Sequence, residues 1–225
     1  MAVSIDTVYQ RVLTLANKEQ RGYITPQEFN LLANHAQMDI FEQYFYDLNQ
    51  FRRLPGNDTL YSDMVDILED KISIFKYGPS TLQTSGTDIS NIQTGTIFEL
   101  YRITDLNFEG KILEEIRYED YYKLQTPLTK PSTSRPVFWK KDGKIYWEGA
   151  DGAVDVNWIR RPTKVEWNSL GTGLYVSGVD FELHDSEETK LVIKILGLAG
   201  ITLKDPGLVS VSNQEEIKSI QQEKQ

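Results

Sequence analysis

The chain has 225 residues, a net charge of −9 and a hydrophobic fraction of 40%, which is sufficient for a folded core. The absence of cysteine excludes disulfide bonds, zinc–thiolate sites and thiol catalysis. The negative charge disfavours sequence-specific binding to a phosphate backbone. Residues 1–6 lack the basic-then-apolar pattern of a secretion signal, and the sequence contains no apolar run of about 18 residues, so we expect neither a signal peptide nor a membrane span.

Three amphipathic helices are predicted at the start of the chain. Apolar residues recur every three to four positions over residues 4–17, from about residue 25 to 50, and from about residue 58 to 76. Thr25 can cap the second helix, Pro26 suits its first position, and Glu28 completes a capping box. Because the connections are short, residues 1–79 are predicted to form a helical bundle.

A polar linker and a small antiparallel β-domain are predicted next. Residues 80–95 carry short polar side chains and are assigned to the linker. The β-domain is assigned to residues 96–168, with strands over 96–103, 112–116 and 154–159. Its clearest element is a hairpin over 137–147, because Asp142–Gly143 tolerates the positive backbone angles of a two-residue turn.

The last part of the chain is predicted to be helical again. Residues 169–204 are assigned to a loop and to a helix from Asp185 to Ile201, which returns to the bundle. Asp205–Pro206 begins a further, mostly polar helix, so residues 205–225 are predicted to form a helical arm with little apolar cover. The segregation of helices and strands predicts an α+β fold.

Residues 17–28 resemble the calcium-binding loop of an EF-hand. Gly22 falls at the sixth position of that loop and Glu28 at the twelfth. However, Arg21 places a cation at the fifth position, where an oxygen ligand is needed, and Asn17 at the first position is neutral. The favoured interpretation is a helix–turn–helix in which Glu28 caps the second helix, with ion binding left open.

No constellation of residues in the sequence predicts catalysis. Glu114 and Glu115 could serve as the carboxylate pair of an enzyme acting on cell-wall sugars, but neighbouring residues of a strand point to opposite faces. His35 and His184 are far apart, and neither a nucleophile elbow nor a phosphate loop is present. We therefore predict no enzyme activity, no cofactor and no metal.

Four tryptophans fall in the strand region: Trp139, Trp147, Trp158 and Trp167. Such residues are usually part of a core or anchor an interface. The alternative is an exposed face on which sugars stack, and this face would make the protein a carbohydrate- or receptor-binding module. We keep both interpretations.

Two sets of residues are candidates for contacts between copies. The first set makes the strand region locally basic and includes Lys140, Lys144, Arg160 and Arg161. Because rings are built from contacts between two different patches, we predict that this set contacts the acidic helices of a neighbouring copy. The second set is apolar and lies on the predicted arm: Leu208, Val209, Ile217 and Ile220.

Four stretches of the chain, in this order, resemble a known family. They are GYITPQEFNL at 22–31 with IFEQYF at 40–45, TPLTKP at 126–131 with RPV at 135–137, WIRRP at 158–162, and residues 181–196 with Asp205–Pro206. Together they are similar to the head-to-tail connector (ring or adaptor) structural proteins of tailed bacteriophages, above all those of crAss-like and related marine podoviruses.

The resemblance implies a virion protein in the head–tail neck that is made in the host cytoplasm. It implies a helical bundle with an inserted β-domain and a C-terminal arm, assembled as a homo-oligomeric ring of twelve copies. The portal protein and adjacent tail or ring proteins are the implied partners, with the arm docking on the portal or on a neighbouring ring subunit. Genomic DNA would pass through the lumen without sequence-specific binding, and neither a cofactor nor a membrane is implied.

Overall fold

Helices and mainly antiparallel sheets occupy separate stretches of the chain, which gives an α+β fold. The computed structural model describes residues 3–18, 24–53, 58–89, 92, 99–169, 175–202, 210–215 and 217–218. The chain divides into two compact units. The first unit comprises Met1–Ile74 and Pro162–Gln225, and the second unit comprises Phe75–Arg161.

The helices are α1 (Ile5–Lys18), α2 (Pro26–Arg53), α3 (Asp58–Ser73), α4 (Tyr118–Tyr121) and α5 (Glu188–Thr202), with 3₁₀ turns at Tyr122–Gln125 and Asp185–Glu187. The strands are β1 (Lys76–Leu82), β2 (Thr87–Asp88), β3 (Leu100–Phe108), β4 (Lys111–Ile112), β5 (Glu114–Glu115), β6 (Val137–Lys141), β7 (Lys144–Glu148), β8 (Val154–Arg160), β9 (Glu166–Ser169) and β10 (Tyr175–Val179).

The core of the first unit is built from the apolar stripes of its helices. α2 contacts both α3 and α5, and α1 contacts α5. Residues spaced three to four apart are buried on each helix, as helical periodicity requires: Ile5, Val8, Val12, Phe29, Ala33, Ala36, Ile40, Leu191 and Ile195. The helices predicted from this periodicity are therefore confirmed, except that α3 ends at Ser73 and not near Lys76.

A row of side-chain amides on α2 holds residues 163–167 against this helix. The Asn34 side chain donates to the carbonyl oxygen of Val165 and accepts from its N–H, each at 2.9 Å. Asn30 makes the same pair of bonds with Trp167, at 3.2 and 2.8 Å. Gln37 donates to the Thr163 carbonyl at 2.8 Å. We call these three side chains the amide row.

The amide row matches the spacing of the segment that it binds. Its members lie at positions i, i+4 and i+7 of α2 and bind every second residue of 163–167. Four helical residues rise about 6 Å and two strand residues about 6.6 Å, so Asn30 and Asn34 stay in step with Trp167 and Val165. The third member, Gln37, is only three residues further on, a rise of about 4.5 Å, and its longer side chain reaches Thr163. The row therefore acts as a strand partner supplied by a helix.

The second unit contains two four-stranded sheets, in the orders β1-β8-β3-β4 and β2-β7-β6-β5. Their facing side chains form an apolar core that includes Leu106, Phe138, Val156 and Trp158. The predicted hairpin is confirmed: β6 and β7 pair in antiparallel fashion across Asp142 and Gly143, whose φ angles are 51° and 71°.

The predicted linker over residues 80–95 is wrong in its described part. β1 pairs with β8 and β2 pairs with β7, so both stretches belong to sheets. Two of the short polar side chains in this stretch form hydrogen bonds to buried tryptophans. The Ser80 hydroxyl accepts from the Trp158 indole at 3.1 Å, and the Ser85 hydroxyl accepts from the Trp147 N–H at 3.0 Å.

Two other boundaries differ from the prediction. The return strand predicted over 112–116 is divided, because β4 pairs with β3 whereas β5 pairs in parallel with β6. Residues 162–168 group with the helices and not with the β-domain, and 175–179 form β10 where a loop was predicted. β10 pairs in antiparallel fashion with β9, whose residues lie 6–13 positions earlier, and the polar, glycine-containing sequence does not indicate this pairing.

We predict that the amide row stabilises the first unit. Asn34→Ala would leave the N–H and carbonyl of Val165 without these partners, and should lower the free energy of unfolding by about 1–3 kcal/mol. The matched control is Asn49→Ala, an exposed asparagine on the same helix, which should change it by less than about 0.5 kcal/mol. Urea unfolding of both variants measures the difference, and equal losses would contradict a special role for Asn34.

Candidate interaction surfaces

The exposed basic residues of the strand region are neutralised within the second unit. Lys140 Nζ lies 2.8 Å from Glu115 Oε1, Lys144 Nζ lies 3.8 Å from Asp88 Oδ1, and Arg161 lies 3.7 Å from Glu99. Residues 75–161 contain twelve Lys or Arg and twelve Asp or Glu. The second unit is therefore neutral overall, and the first unit carries the whole net charge of −9.

Arg160 differs from its neighbour because it is buried. Its guanidinium carbon lies 5.7 Å from the centre of the Phe75 ring, and the residue is 9% exposed. Its backbone N–H donates to the Phe75 carbonyl oxygen at 2.9 Å. The Arg161 side chain is 52% exposed. In this structure Arg160 supports the second unit, and Arg161 is the residue of the pair that is exposed to solvent.

The predicted arm is described only in part. Residues 210–215 and 217–218 are helical, and Leu208, Val209 and Ile220 lie outside the described residues. Ser212 is buried against Gly197 of α5, where an added Cβ would lie only 2.8 Å from its hydroxyl oxygen. Ile217 is 55% exposed. The described part of this helix thus contacts α5 and presents Ile217 to solvent.

Residues 122–130 form a mostly exposed segment of the second unit, which we call the finger. Leu128 at its tip is 96% exposed. The turn is closed by hydrogen bonds from the N–H groups of Thr129 and Lys130 to the Thr126 carbonyl oxygen, both at 3.0 Å. The Thr126 and Thr129 hydroxyls lie 2.6 Å apart. The finger therefore holds an apolar tip in a defined conformation.

The base of the finger is also attached to the sheet behind it. Gln125 donates to Glu148 Oε2 at 3.0 Å, and Lys130 lies 4.0 Å from the other oxygen of the same carboxylate. One residue of β7 thus bonds to both ends of the turn. The three prolines and several Ser and Thr residues of 126–136 predict an ordered, extended loop, but the exposed leucine at a closed turn was not predicted.

A groove of about 670 Å³ lies between α1 and α5 in the first unit, and we call it the helical groove. Its apolar lining includes Leu15, Val192, Ile193 and Leu196. Leu15 is 44% exposed. From Leu191 to Thr202, α5 carries one charged residue, Lys194, so the helix is apolar on nearly all sides. Helices of this kind are normally covered all round, and among the described residues the groove is where the cover of α5 is incomplete.

The four tryptophans do not form an exposed stacking face. Trp139 and Trp147 are 7% exposed, and Trp158 and Trp167 are 1% exposed. The core interpretation is confirmed, and the alternative of a tryptophan-rich binding face is wrong for this structure. Trp167 lies in the first unit, where its indole donates to Asp6 at 3.1 Å.

Tyrosines cover the outer side of Trp139. The Tyr121 ring lies 4.3 Å from it, and the Tyr118 and Tyr122 hydroxyls are 3.0 Å apart. The hydrogen bonds from Tyr122 and Lys141 lower the pKa of Tyr118. Burial, followed by a hydrogen bond to Glu148, raises the pKa of Tyr121. This cluster ties α4 to the sheet at the base of the finger.

The residues considered for catalysis or metal binding have other contacts. Glu114 pairs with Arg135 at 2.8 Å and Glu115 pairs with Lys140 at 2.8 Å, so the two carboxylates do not face one ligand. His35 lies 3.9 Å from Asp39, and His184 caps the 3₁₀ turn before α5. Across the described ranges, no group of three His, Asp or Glu side chains is placed to hold a metal ion.

The capping box at the start of α2 is confirmed. Glu28 Oε2 accepts from the Thr25 N–H at 2.9 Å, and the Glu28 N–H donates to the Thr25 hydroxyl at 3.3 Å. The hydrogen bond from the Thr25 N–H, followed by that from its hydroxyl, lowers the pKa of Glu28. Residues 19–23 of the EF-hand-like loop lie outside the described residues.

Comparison with known proteins does not assign this chain to a family. The sequence matches no family model, and no curated protein matches it significantly. Within the part of the chain that the structure describes, no helix combines the length and hydropathy needed to cross a bilayer.

We predict opposite results for two adjacent arginines. Arg160→Glu should lower the free energy of unfolding by about 3 kcal/mol or more, because a carboxylate would be buried where a guanidinium lies over an aromatic ring. Arg161→Glu loses one exposed ion pair and should cost less than about 1 kcal/mol. Urea unfolding followed by tryptophan fluorescence compares them, and similar losses would refute the assignment of Arg160 to the structure.

We predict that the capping box contributes pH-dependent stability. The folded-state pKa of Glu28 is lowered, so its contribution is present above the unfolded pKa of about 4.3 and is lost as the pH falls through the lower folded value. Glu28→Ala should therefore be less stable than the wild type at pH 6, and this difference should shrink toward pH 3. Glu42→Ala, at an exposed position of α2, is the control. A difference that stays constant with pH would contradict the prediction.

Proposed function

We propose that this chain is a virion structural protein that forms a homo-oligomeric ring at the head-to-tail junction of a tailed bacteriophage. In this proposal the first unit is the helical bundle, the second unit is the inserted β-domain, and residues 205–225 are the arm. The ring lies next to the portal protein, and the arm docks on the portal or on a neighbouring ring protein. The protein has a structural role and catalyses no reaction.

The observation that carries the proposal is the pair of different apolar surfaces. The finger presents Leu128 on the second unit, and the helical groove presents Leu15 and Ile193 on the first unit. A ring subunit requires two unlike patches, because each copy contacts one neighbour with one patch and the next neighbour with the other. The order of the four sequence stretches that resemble connector proteins supports the same role.

The charge distribution is compatible with a channel for DNA. The first unit carries a net charge of −9 and the second unit is neutral. An acidic surface repels the phosphate backbone, so DNA can pass it without adhering. The second candidate, a carbohydrate- or receptor-binding virion module, gains no support from tryptophans that are all buried.

The assembly is tested with the full chain and with portal protein. Mass photometry and negative-stain imaging should show closed rings, alone or on the portal, and twelve copies is the expected number. A chain truncated after Leu203 should keep its folded body but bind the portal about tenfold more weakly or worse, because the arm is removed. Arg161→Glu tests the contribution of the basic set and should lower the salt concentration at which rings dissociate.

Several outcomes would count against the proposal. A chain that remains a single subunit both alone and with portal would contradict the ring. Loss of the whole fold on truncation after Leu203 would refute the arm. Rings of Arg161→Glu with the salt tolerance of the wild type would remove the basic set from the interface while leaving the ring in place.

A further inference from the structure

We propose that the finger of one copy docks in the helical groove of a second copy of this chain. This inference rests on the homo-oligomer of the proposed function and identifies the two surfaces that join its subunits. The central contact places Leu128 of one copy against Leu15, Val192 and Ile193 of its neighbour. Nothing in the sequence resemblance assigns a role to either surface.

The finger has the properties of a preformed docking element. Its tip residue, Leu128, is 96% exposed, and the turn beneath it is closed by hydrogen bonds to the Thr126 carbonyl and by the 2.6 Å contact of the Thr126 and Thr129 hydroxyls. A single exposed leucine is ordinary on a protein surface. A leucine on a turn whose conformation is already fixed loses little conformational entropy on binding, which favours a stable contact.

The helical groove has the size and chemistry to receive the tip. Its volume of about 670 Å³ falls within the range of pockets that bind ligands of several side chains' size. Val192 and Leu196 form its floor at 6% and 8% exposure, and Leu15 at 44% forms part of its rim. Docking would cover the uncovered part of α5, a helix that is apolar on nearly all sides.

Charge favours docking of a finger in the groove of a second copy over a contact between two grooves. A groove-to-groove contact would bring together two first units, each with a net charge of −9. A finger-to-groove contact joins this acidic unit to a neutral one. The two lysines of the finger, Lys123 and Lys130, are 76% and 58% exposed but already pair with Asp120 at 2.6 Å and with Glu148 at 4.0 Å. The preference therefore comes from the like-charge repulsion that a finger-to-groove contact avoids.

The resulting contact joins unlike surfaces, so each copy retains a free finger at one side and a free groove at the other. Repetition of such a contact generates a ring if the rotation between copies closes, and a filament if it does not. The proposed function requires the ring.

The absence of cysteine allows a direct test by cross-linking. Leu128→Cys and Leu15→Cys chains are mixed in equal amounts under conditions in which rings form, and treated with a short thiol–thiol cross-linker. We expect the mixed adduct to form about tenfold faster than in control mixtures, because docked thiols meet at a raised effective concentration. The control mixtures replace Leu15→Cys by Leu31→Cys, and Leu128→Cys by Ile112→Cys. Both control residues are exposed, at 74% and 70%, and each lies in the same unit as the residue that it replaces.

The outcomes separate this inference from the proposed function. If rings form but the mixed adduct appears equally fast in the test and control mixtures, the finger-to-groove contact is overturned and the proposed function still stands. A dominant adduct between Ile217→Cys and Leu15→Cys would show that the arm fills the groove, which also overturns it. Chains that neither form rings nor cross-link preferentially would overturn both. As a second measurement, Leu128→Ser should weaken assembly about tenfold, whereas Ile112→Ser should not.

Discussion

The pairing between the amide row of α2 and residues 163–167 is the constraint on which the first unit depends. A backbone segment packed against a helix cannot use the helix backbone as a partner, because those groups already bond within the helix. Asn30, Asn34 and Gln37 supply the missing donors and acceptors from side chains. The same alignment positions Trp167, whose ring lies 4.0 Å from that of Tyr9 and whose indole donates to Asp6. The row thus determines where α1 packs.

The N-terminal end of α5 is fixed by a buried ion pair. Lys71 Nζ of α3 lies 2.6 Å from Glu187 Oε1, and Lys190 approaches the second oxygen of that carboxylate at 3.9 Å. The Glu187 side chain is 3% exposed. Burying such charges contributes little net stability, since desolvation offsets the attraction, but it disfavours any packing of α5 in which the carboxylate lacks its cations. An apolar helix that could pack in several rotations is thereby held in one, and the face that forms the helical groove is the face left over.

Local patterns in the sequence predicted the elements whose cause is local. The apolar stripes of α1, α2 and α5 and the turn at Asp142–Gly143 follow from helical periodicity and from backbone angles. β1 is not predicted because its partner, β8, lies more than 70 residues away and its Ser80 side chain bonds to Trp158. β10 pairs with the nearby β9, but its polar, glycine-containing sequence lacks the apolar alternation of a predicted strand. Asn30 and Asn34 were missed because a polar residue beside an apolar stripe ordinarily faces water. Arg160 and Arg161 were assigned one role although neighbouring strand residues point to opposite faces, and the structure separates them: Arg160 lies over Phe75 and Arg161 pairs with Glu99.

The uneven distribution of charge limits how copies of this chain can meet. Twelve acidic and twelve basic residues cancel within 75–161, where pairs such as Arg135–Glu114 and Lys140–Glu115 place opposite charges side by side. The remaining residues have 21 acidic and twelve basic side chains, so their excess charge has no local counterpart. Repulsion between two such surfaces extends over about 8–10 Å at physiological salt. A symmetric contact between first units would have to overcome this repulsion, whereas a contact that alternates the two kinds of unit would not. In the proposed ring, charge would therefore favour head-to-tail association, and the apolar surfaces would fix its register.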